Sequence, residues 1–429
     1  MMRLRPIRTR RDRLMAVTAA APTVGTFHAL RSGNFRLYFF GQLVSQSGTW
    51  MQNIAQGYLV YTLTGSEAWL GIVALAAGLP VLLMSPLAGV IVEMIPRRRL
   101  LVATNVTQMS LAAILTVLAV TNTVQVWHVV VLAFILGLSI SVDAPSRQTF
   151  MVEMVGRDDL SSALALNSIM NSSTRVFGPM AAGAVLAQLG LNWCFLINAI
   201  SFLVVLGCLL AMHVPFALPI PKVRTRPVQQ MREGLAYVRR DPAVKRLLML
   251  SSIAGFFLLP IFQMMPAIAE TTIDNSREGY ALLSAAQGVG SIIAGLMVGW
   301  LAAHYARISI IGAAMLGAAA VMALIGMQTS VPGAVLFAMA SGLCMVLTLV
   351  NMNLDLQLTL SNAFRGRVLS LYMLTVFGLS PFGALLLGML AEGLGVPLAL
   401  QLYGGVMAML AVLVFWRAKV YTRPEFSAA

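Results

Sequence analysis

Long apolar runs alternate with short polar or charged segments along most of the chain. Each run can cross the hydrocarbon core of a bilayer, which takes roughly 20 residues as a helix. Because lipid offers no partner to backbone N–H and C=O groups, these runs are predicted to be helices. The pattern predicts twelve helices, at residues 37–63, 68–92, 100–121, 126–149, 161–187, 193–213, 247–270, 279–302, 308–328, 332–356, 368–391 and 397–417.

The composition agrees with this pattern and excludes a soluble domain. Hydrophobic residues make up 59% of the chain and charged residues 10%, whereas soluble domains are about a quarter charged. In so apolar a chain, the net charge of +14 does not indicate nucleic acid as a partner. We expect an all-α, multi-pass membrane protein that works as a monomer in the lipid bilayer.

The distribution of basic residues predicts the orientation of the helices. Of the 29 Lys and Arg residues, all except Arg175 and Arg277 fall in the segments that share a side with both termini. Since Lys and Arg concentrate in cytoplasmic loops, both termini are predicted to be cytoplasmic. A bacterial inner membrane is the expected location.

The longest polar stretch divides the chain into two similar halves. Residues 1–35 are predicted to be a basic tail, 36–213 a six-helix bundle, 214–246 a cytoplasmic linker with an amphipathic helix near 228–240, 247–417 a second six-helix bundle, and 418–429 a second tail. The segment VFGPMAAGAVL at 176–186 recurs as VFGLSPFGALL at 376–386. This repetition favours two pseudo-symmetric bundles.

Polar side chains recur at helical spacing within the apolar runs. In the first predicted helix, Gln42, Gln46, Thr49, Asn53 and Gln56 lie three or four positions apart and therefore share one face. Asn171, Arg175, Gln263, Gln287 and Asn351 are further candidates for the same interior. Such groups either bond neighbouring helices or line a water-filled substrate cavity, and the length of the stripe favours the cavity.

Arg175 lies about a dozen residues into a predicted helix, where a charge is costly. Two roles are open: donating hydrogen bonds to carbonyls and polar side chains, or attracting an acidic group of the substrate. Gly178, Pro179 and Gly183 follow on the same helix, and they predict a bend and a close approach of neighbouring helices.

Residues 89–99, GVIVEMIPRRR, resemble the G-x-x-x-D-x-x-G-R-R/K motif of the major facilitator superfamily. Gly89, Glu93, Arg97 and Arg98 match it, although Glu93 replaces the usual aspartate and Pro96 the second glycine. The resemblance implies a latch at the cytoplasmic ends of the two halves. We predict that Asp143, Arg147 and Gln148 complete this latch and that Arg97 pairs with Asp143. The alternative is a plain basic loop.

Four further stretches indicate which branch of this superfamily the sequence resembles. LVYTLTGS at 59–66, DAPSRQTF at 143–150, LNS at 166–168 and RVFGP at 175–179 resemble the branch of drug and siderophore exporters. The resemblance implies two six-helix bundles around a central cavity and export of a small organic compound by alternating access. A lipid or lysophospholipid transporter and an uncoupled facilitator remain alternatives.

Proton coupling is expected from the same resemblance. A coupling group must gain and lose a proton as the cavity alternates, and Asp143, Asp355 and Glu270 are the candidates. No nucleophile with a base and no metal cluster is recognisable, so neither an enzyme, such as a membrane-embedded transferase, nor a cofactor is expected.

Overall fold

The computed structural model describes residues 27–156, 159–212, 227–272, 276–360 and 364–418. These residues form fifteen α-helices, two five-residue π-helical turns and a short 3-10 helix, His28–Arg31. The first six are α1 (Gly33–Thr64), α2 (Glu67–Met94), α3 (Arg97–Val120), α4 (Val126–Val155), α5 (Leu160–Gln188) and α6 (Leu191–Ala211). The others are α7 (Pro227–Arg240), α8 (Pro242–Ile253), α9 (Ile261–Thr272), α10 (Ser276–His304), α11 (Arg307–Ile325), α12 (Val331–Thr359), α13 (Arg365–Met373), α14 (Ser380–Leu394) and α15 (Val396–Ala418).

Local sequence signals account for several of the helix ends. The Ser32 hydroxyl accepts a hydrogen bond from the Phe35 N–H at the start of α1, and Gly65 ends this helix at φ 59°. Asp241 caps α8 in the same way, with Pro242 in the first helical position. The helices α1 and α8 therefore begin a few residues before the predicted ranges, because these caps lie outside the apolar runs.

Two predicted continuous helices, 247–270 and 368–391, are each interrupted by a π-helical turn. The turns are Ala254–Leu258 and Leu374–Gly378, and they pack against each other. Pro260 has no N–H to donate to the Phe256 carbonyl one turn earlier. The Tyr403 hydroxyl bonds that carbonyl, at 3.0 Å, so α15 satisfies the group that the proline leaves free.

Ten helical stretches among the described residues are long and apolar enough to cross a membrane. The chain is therefore a multi-pass membrane protein. The long helix α1 is not among the ten, and its glutamine and asparagine residues lower its hydropathy. The helix α5 is not among them either, and several of its side chains lie outside the described part of the structure.

We refer to α1–α6 as the first half and to α8–α15 as the second half. The halves meet along two seams, where α2 packs on α14 and α5 packs on α10. We call the face where α1 begins and α2 ends the linker face, because α7 also lies there. The opposite face is the one where α1 ends and α14 ends.

Candidate functional site

A buried polar network joins three helices of the first half, about three turns in from the linker face. The Asp143 carboxylate on α4, 3% exposed, forms an ion pair with Arg147 one turn further along. Thr104 on α3 donates its hydroxyl proton to Asp143 Oδ1 at 2.8 Å. Arg147 also donates to Gln42 Oε1 on α1. We call these four residues the first-half network.

The first-half network continues into the bundle through α3 and α4. Ser139 Oγ donates to the Thr104 carbonyl at 3.2 Å and accepts from Gln108 Nε2 at 3.3 Å. Because all these groups are buried, each bond replaces one that water would otherwise provide. The packing of α3 against α4 is therefore specified by a chain of hydrogen bonds as well as by apolar contacts.

The predicted pair between Arg97 and Asp143 is wrong. Arg97 lies 3.5 Å from the Glu153 carboxylate, and Asp143 is bonded to Arg147 and Thr104. Since α3 leaves the linker face at Arg97 and α4 returns to it at Val155, Arg97 is level with the end of α4. Asp143 lies three turns deeper, beside Thr104.

The other predicted latch residues have different environments. Arg98 donates to the Leu209 and Leu210 carbonyls at 2.9 and 2.8 Å, and so binds free acceptors at the end of α6. Gln148 is exposed. Gly89 and the side chain of Glu93 lie on α2 but outside the part of the structure that is described.

The second half has an acid closer to the linker face, about one turn from the end of α12, without a comparable network. Asp355 on α12 is half-buried, and Arg246 on α8 and Arg307 on α11 are near enough to attract it electrostatically. Within the described ranges, neither guanidinium forms an ion pair with it at 4.0 Å or less. Its charge is balanced at longer range.

One turn deeper on α12, the second half buries polar atoms that have no partner among the described residues. Asn351 is fully buried, and its Nδ2 donates to the Leu347 carbonyl while its Oδ1 has no partner. The Thr348 hydroxyl is likewise unpartnered. Gln287 on α10 is buried too, but it donates to Ser341 Oγ at 3.1 Å. These two buried atoms therefore lack the hydrogen bonds that buried polar groups usually make.

The polar stripe of α1 serves two purposes. Gln46 Oε1 accepts from the Thr174 hydroxyl of α5 at 3.4 Å, which is interhelical bonding of the kind that Gln42 also makes. Asn53 is exposed, while Thr49 and Gln56 are half-buried. The linker-face end of the stripe therefore holds helices together, and the remaining part has side-chain surface that the described residues do not cover.

The sequence patterns missed a second polar line on α1. Gln52 is buried and accepts a 2.6 Å hydrogen bond from Asn198 of α6. Gly48 lets α6 approach at this level, since a Cβ there would lie 2.7 Å from the Asn198 and Ser201 side chains. The signal was present, because Ser45, Gly48 and Gln52 also repeat at helical spacing.

The predicted packing residues of α5 face two different neighbours. Gly178 lies against Trp50 of α1, inside the first half. Gly183 lies at the seam, where a Cβ would be 2.7 Å from the Ala281 carbonyl oxygen of α10. Asn171 is half-buried, as is Gln263 on α9. The side chains of Arg175 and Pro179 are outside the described part of the structure, so their roles stay predictions.

Hydrogen bonds join the two halves at the opposite face. Glu392 at the end of α14 accepts from the Ser66 hydroxyl at 2.8 Å and the Ala68 N–H at 3.3 Å, so it caps α2 of the other half. Tyr280 on α10 donates to the Ile54 carbonyl of α1 at 3.0 Å and stacks on Tyr58. We call these contacts the opposite-face seal.

Glycines allow close backbone approach along the α2–α14 seam beside this seal. A Cβ on Gly71 would lie 2.6 Å from the Ala384 carbonyl oxygen, and one on Gly388 would lie 2.5 Å from the Glu67 carbonyl oxygen. Any larger residue would have to separate the halves here. Glu270, a predicted coupling residue, is exposed at the same face, at the end of α9.

A helical membrane protein whose two halves pack along paired seams and enclose buried polar side chains has the architecture of a major facilitator transporter. Solved transporters share the fold. The nucleoside transporter NupG superimposes with a TM-score of 0.72 at 11% identity, over 91% of this chain and all of that one. The sequence identifies the family more narrowly than the fold does. Residues 24–428 match the family model described as transmembrane secretion effector. The chain belongs to this family of the major facilitator superfamily, as the sequence motifs implied.

Curated relatives of the chain are exporters and transporters from bacteria. Macrolide efflux protein A of Streptococcus pyogenes is 24% identical over 66% of this chain and 71% of its own length. The staphyloferrin A transporter of Staphylococcus aureus is 22% identical over 89% and 95%. The multidrug efflux pump Tap of Mycolicibacterium fortuitum is 25% identical over 90% and 96%.

Proposed function

We propose that the protein exports a small organic compound, a drug-like molecule or a siderophore, across a bacterial inner membrane by proton-coupled alternating access. In this proposal α1 and α5 also cross the bilayer, which makes twelve spans, and the linker face is cytoplasmic. The observation that carries the proposal is the opposite-face seal, which closes one face while polar groups of both halves lie near the other. The names of the relatives support the substrate class.

In the proposed cycle the structure corresponds to the state open to the cytoplasm. The substrate enters from the linker face and binds between α1 and the second half, where Asn53, Gln56 and Gln263 can hydrogen-bond it. Opening to the outside then requires Glu392 to release α2 and Tyr280 to release Ile54. The glycine contacts at Gly71 and Gly183 mark the seams along which the halves would separate.

Asp355 suits the role of proton carrier better than the other two acids. Asp143 is enclosed by an ion pair and a hydrogen bond, so water has little access to its carboxylate in this state. Glu270 is exposed at the face that the seal closes. Asp355 is half-buried at the linker face with two basic residues at a distance, and it can exchange a proton with water before the halves close.

Transport in everted vesicles tests the function directly. Vesicles containing the protein are given a proton gradient and a panel of macrolides, siderophores, dyes and lysophospholipids, with Asp355→Asn as the matched variant. We expect gradient-driven accumulation of one organic compound by the wild type, and its loss in Asp355→Asn with exchange of the compound retained. Equilibration of a compound across the membrane, without gradient-driven accumulation, would make the protein a facilitator. Movement of the lysophospholipid alone would make it a lipid transporter.

A further inference from the structure

The amphipathic linker helix α7 has one face bound to the second half and one face exposed. Gly234 and Val238 are buried, one turn apart, and a Cβ on Gly234 would touch Arg367 and Leu371 of α13. Tyr237 stacks on Phe364 with ring centroids 4.6 Å apart. These contacts fix which way the helix is turned.

An ion pair anchors the same helix to α13. Glu233 lies 2.9 Å from Arg367, and the Arg367 guanidinium also lies over the Phe364 ring at 5.4 Å from its centroid. Glu233 is the single acid in α7, and this pair neutralises it. The charge left on the exposed side of α7 is therefore positive.

The exposed side combines large apolar residues with arginines. Met231 and Leu235, 48% and 43% exposed, lie one turn apart, and Arg239 continues the same line. Arg232 and Arg240 are exposed further round the helix. An exposed apolar line flanked by arginines is unfavourable in water but suits the interface of an anionic membrane, where apolar side chains enter and guanidinium groups meet phosphates.

The level of α7 relative to the membrane agrees with this surface. The spanning stretch Pro242–Thr271 begins two residues after Arg240, and the stretch Gly366–Leu394 begins one residue before Arg367. Arg240 and Arg367 thus lie at the linker-face ends of two candidate spanning stretches, which places α7 beside the membrane surface. Seen along the helix axis, Leu235 lies between the bundle-facing side and the water-facing side, about 100° from Ala236.

We propose that α7 lies in the membrane interface and binds anionic phospholipid headgroups through Arg232 and Arg239, with Met231 and Leu235 inserted among the acyl chains. The partner is the lipid of the surrounding leaflet and not a protein, because the basic residues flank an apolar line at membrane level. This role is separate from the transported substrate and does not depend on the direction of transport.

Fluorescence of the full-length protein in nanodiscs tests the proposal. The three native cysteines are replaced, and an environment-sensitive dye is attached to a single cysteine at Leu235 or, as the matched control, at the exposed neighbour Ala236. We expect blue-shifted emission at position 235, quenched by lipids with a nitroxide on the acyl chain, and water-like emission at position 236. Equal emission at the two positions would overturn the proposal.

The lipid preference is measured by comparing discs of phosphatidylcholine alone with discs that also contain phosphatidylglycerol. We expect the anionic lipid to increase quenching at position 235 severalfold, and we expect high salt or the double variant Arg232→Gln/Arg239→Gln to remove this increase. Wild-type substrate exchange by the double variant would show that it is folded. Quenching that is the same in both lipid mixtures would refute anionic recognition.

Discussion

The two halves of the molecule treat their acidic residues on α4 and α12 in different ways. In the first half, Asp143 is bonded to Arg147 and Thr104, and Arg147 in turn reaches Gln42 on a third helix. In the second half, Asp355 has two arginines nearby, and within the described ranges neither is in contact with it. The carboxylate of the first half is therefore directly bonded to two side chains, and that of the second half has no ion pair within the described ranges.

The different bonding of Asp143 and Asp355 suits the two acids to different roles, one structural and one functional. A buried, fully bonded carboxylate holds three helices in register, and removing it leaves an uncompensated positive charge. A half-buried carboxylate with distant counter-charges costs little to change but can exchange protons. We therefore expect Asp143 to contribute stability, and Asp355 is the residue for which we propose proton coupling.

The largest expected effect is that of Asp143→Asn. The substitution leaves Arg147 without its counter-ion in a largely buried site, and we expect a loss of about 3 kcal/mol in the free energy of unfolding. The matched variant Asp355→Asn should lose less than about 1 kcal/mol, because its ionic partners are not in contact. Thermal unfolding in detergent measures both. Equal losses would show that the halves do not differ in this respect.

Charge exchange between Arg97 and Glu153 tests which acid of the first half Arg97 pairs with. We expect Arg97→Glu and Glu153→Arg each to lower stability and transport, and the double variant to recover about 1–2 kcal/mol through the restored pair. The same exchange between Arg97 and Asp143 should recover nothing, since these side chains are not paired. Recovery in the Asp143 pair would restore the original latch prediction.

A bulky residue at Gly71 tests whether the halves must meet closely at the seam. Gly71→Val should hold α2 and α14 apart, because the Ala384 carbonyl occupies the space of the new side chain. We expect it to lower the free energy of unfolding by about 1 kcal/mol or more. A cysteine in place of Ala281, buried at the other seam, should then react with a membrane-impermeant thiol reagent from outside. Gly299→Val, which has open space around it, is the control and should leave this cysteine protected.

The smallest expected effect is that of Glu392→Gln, since this side chain is exposed. The amide can still accept hydrogen bonds from Ser66 and Ala68 but carries no charge to favour the start of α2. We expect a modest shift towards the outward-open state, seen as faster labelling at position 281, while stability is unchanged. Slower labelling would mean that Glu392 does not hold the opposite face closed.

The apolar runs predicted the helices well because membrane burial leaves little choice of secondary structure. They could not predict the π-helical turns, since these depend on how Phe256, Pro260 and Tyr403 meet in three dimensions. The stripe on α1 predicted an interior face, but the partners of Gln42 and Gln46 depend on helix rotation. The pairing of Arg97 failed for a similar reason: a motif gives the residues, and the depth at which antiparallel helices cross gives their partners.

Glu392 shows a further limit of the sequence. It lies just beyond a predicted helix, where one acid among apolar residues has no pattern that would mark it. Its role follows from a contact with the other half, which is more than 300 residues away along the chain. Residues that join the halves can be recognised only when both seams are known.

Distances between spin labels test the central claim that the halves rock about the space between them. One pair of labels, at Gln148 and Gln357, reports the linker face, and another, at Leu63 and Thr271, reports the opposite face; all four positions are exposed. When substrate or a change in pH shifts the equilibrium, the first distance should shorten as the second lengthens. Changes of the same sign, or a change at one face alone, would contradict alternating access in this protein.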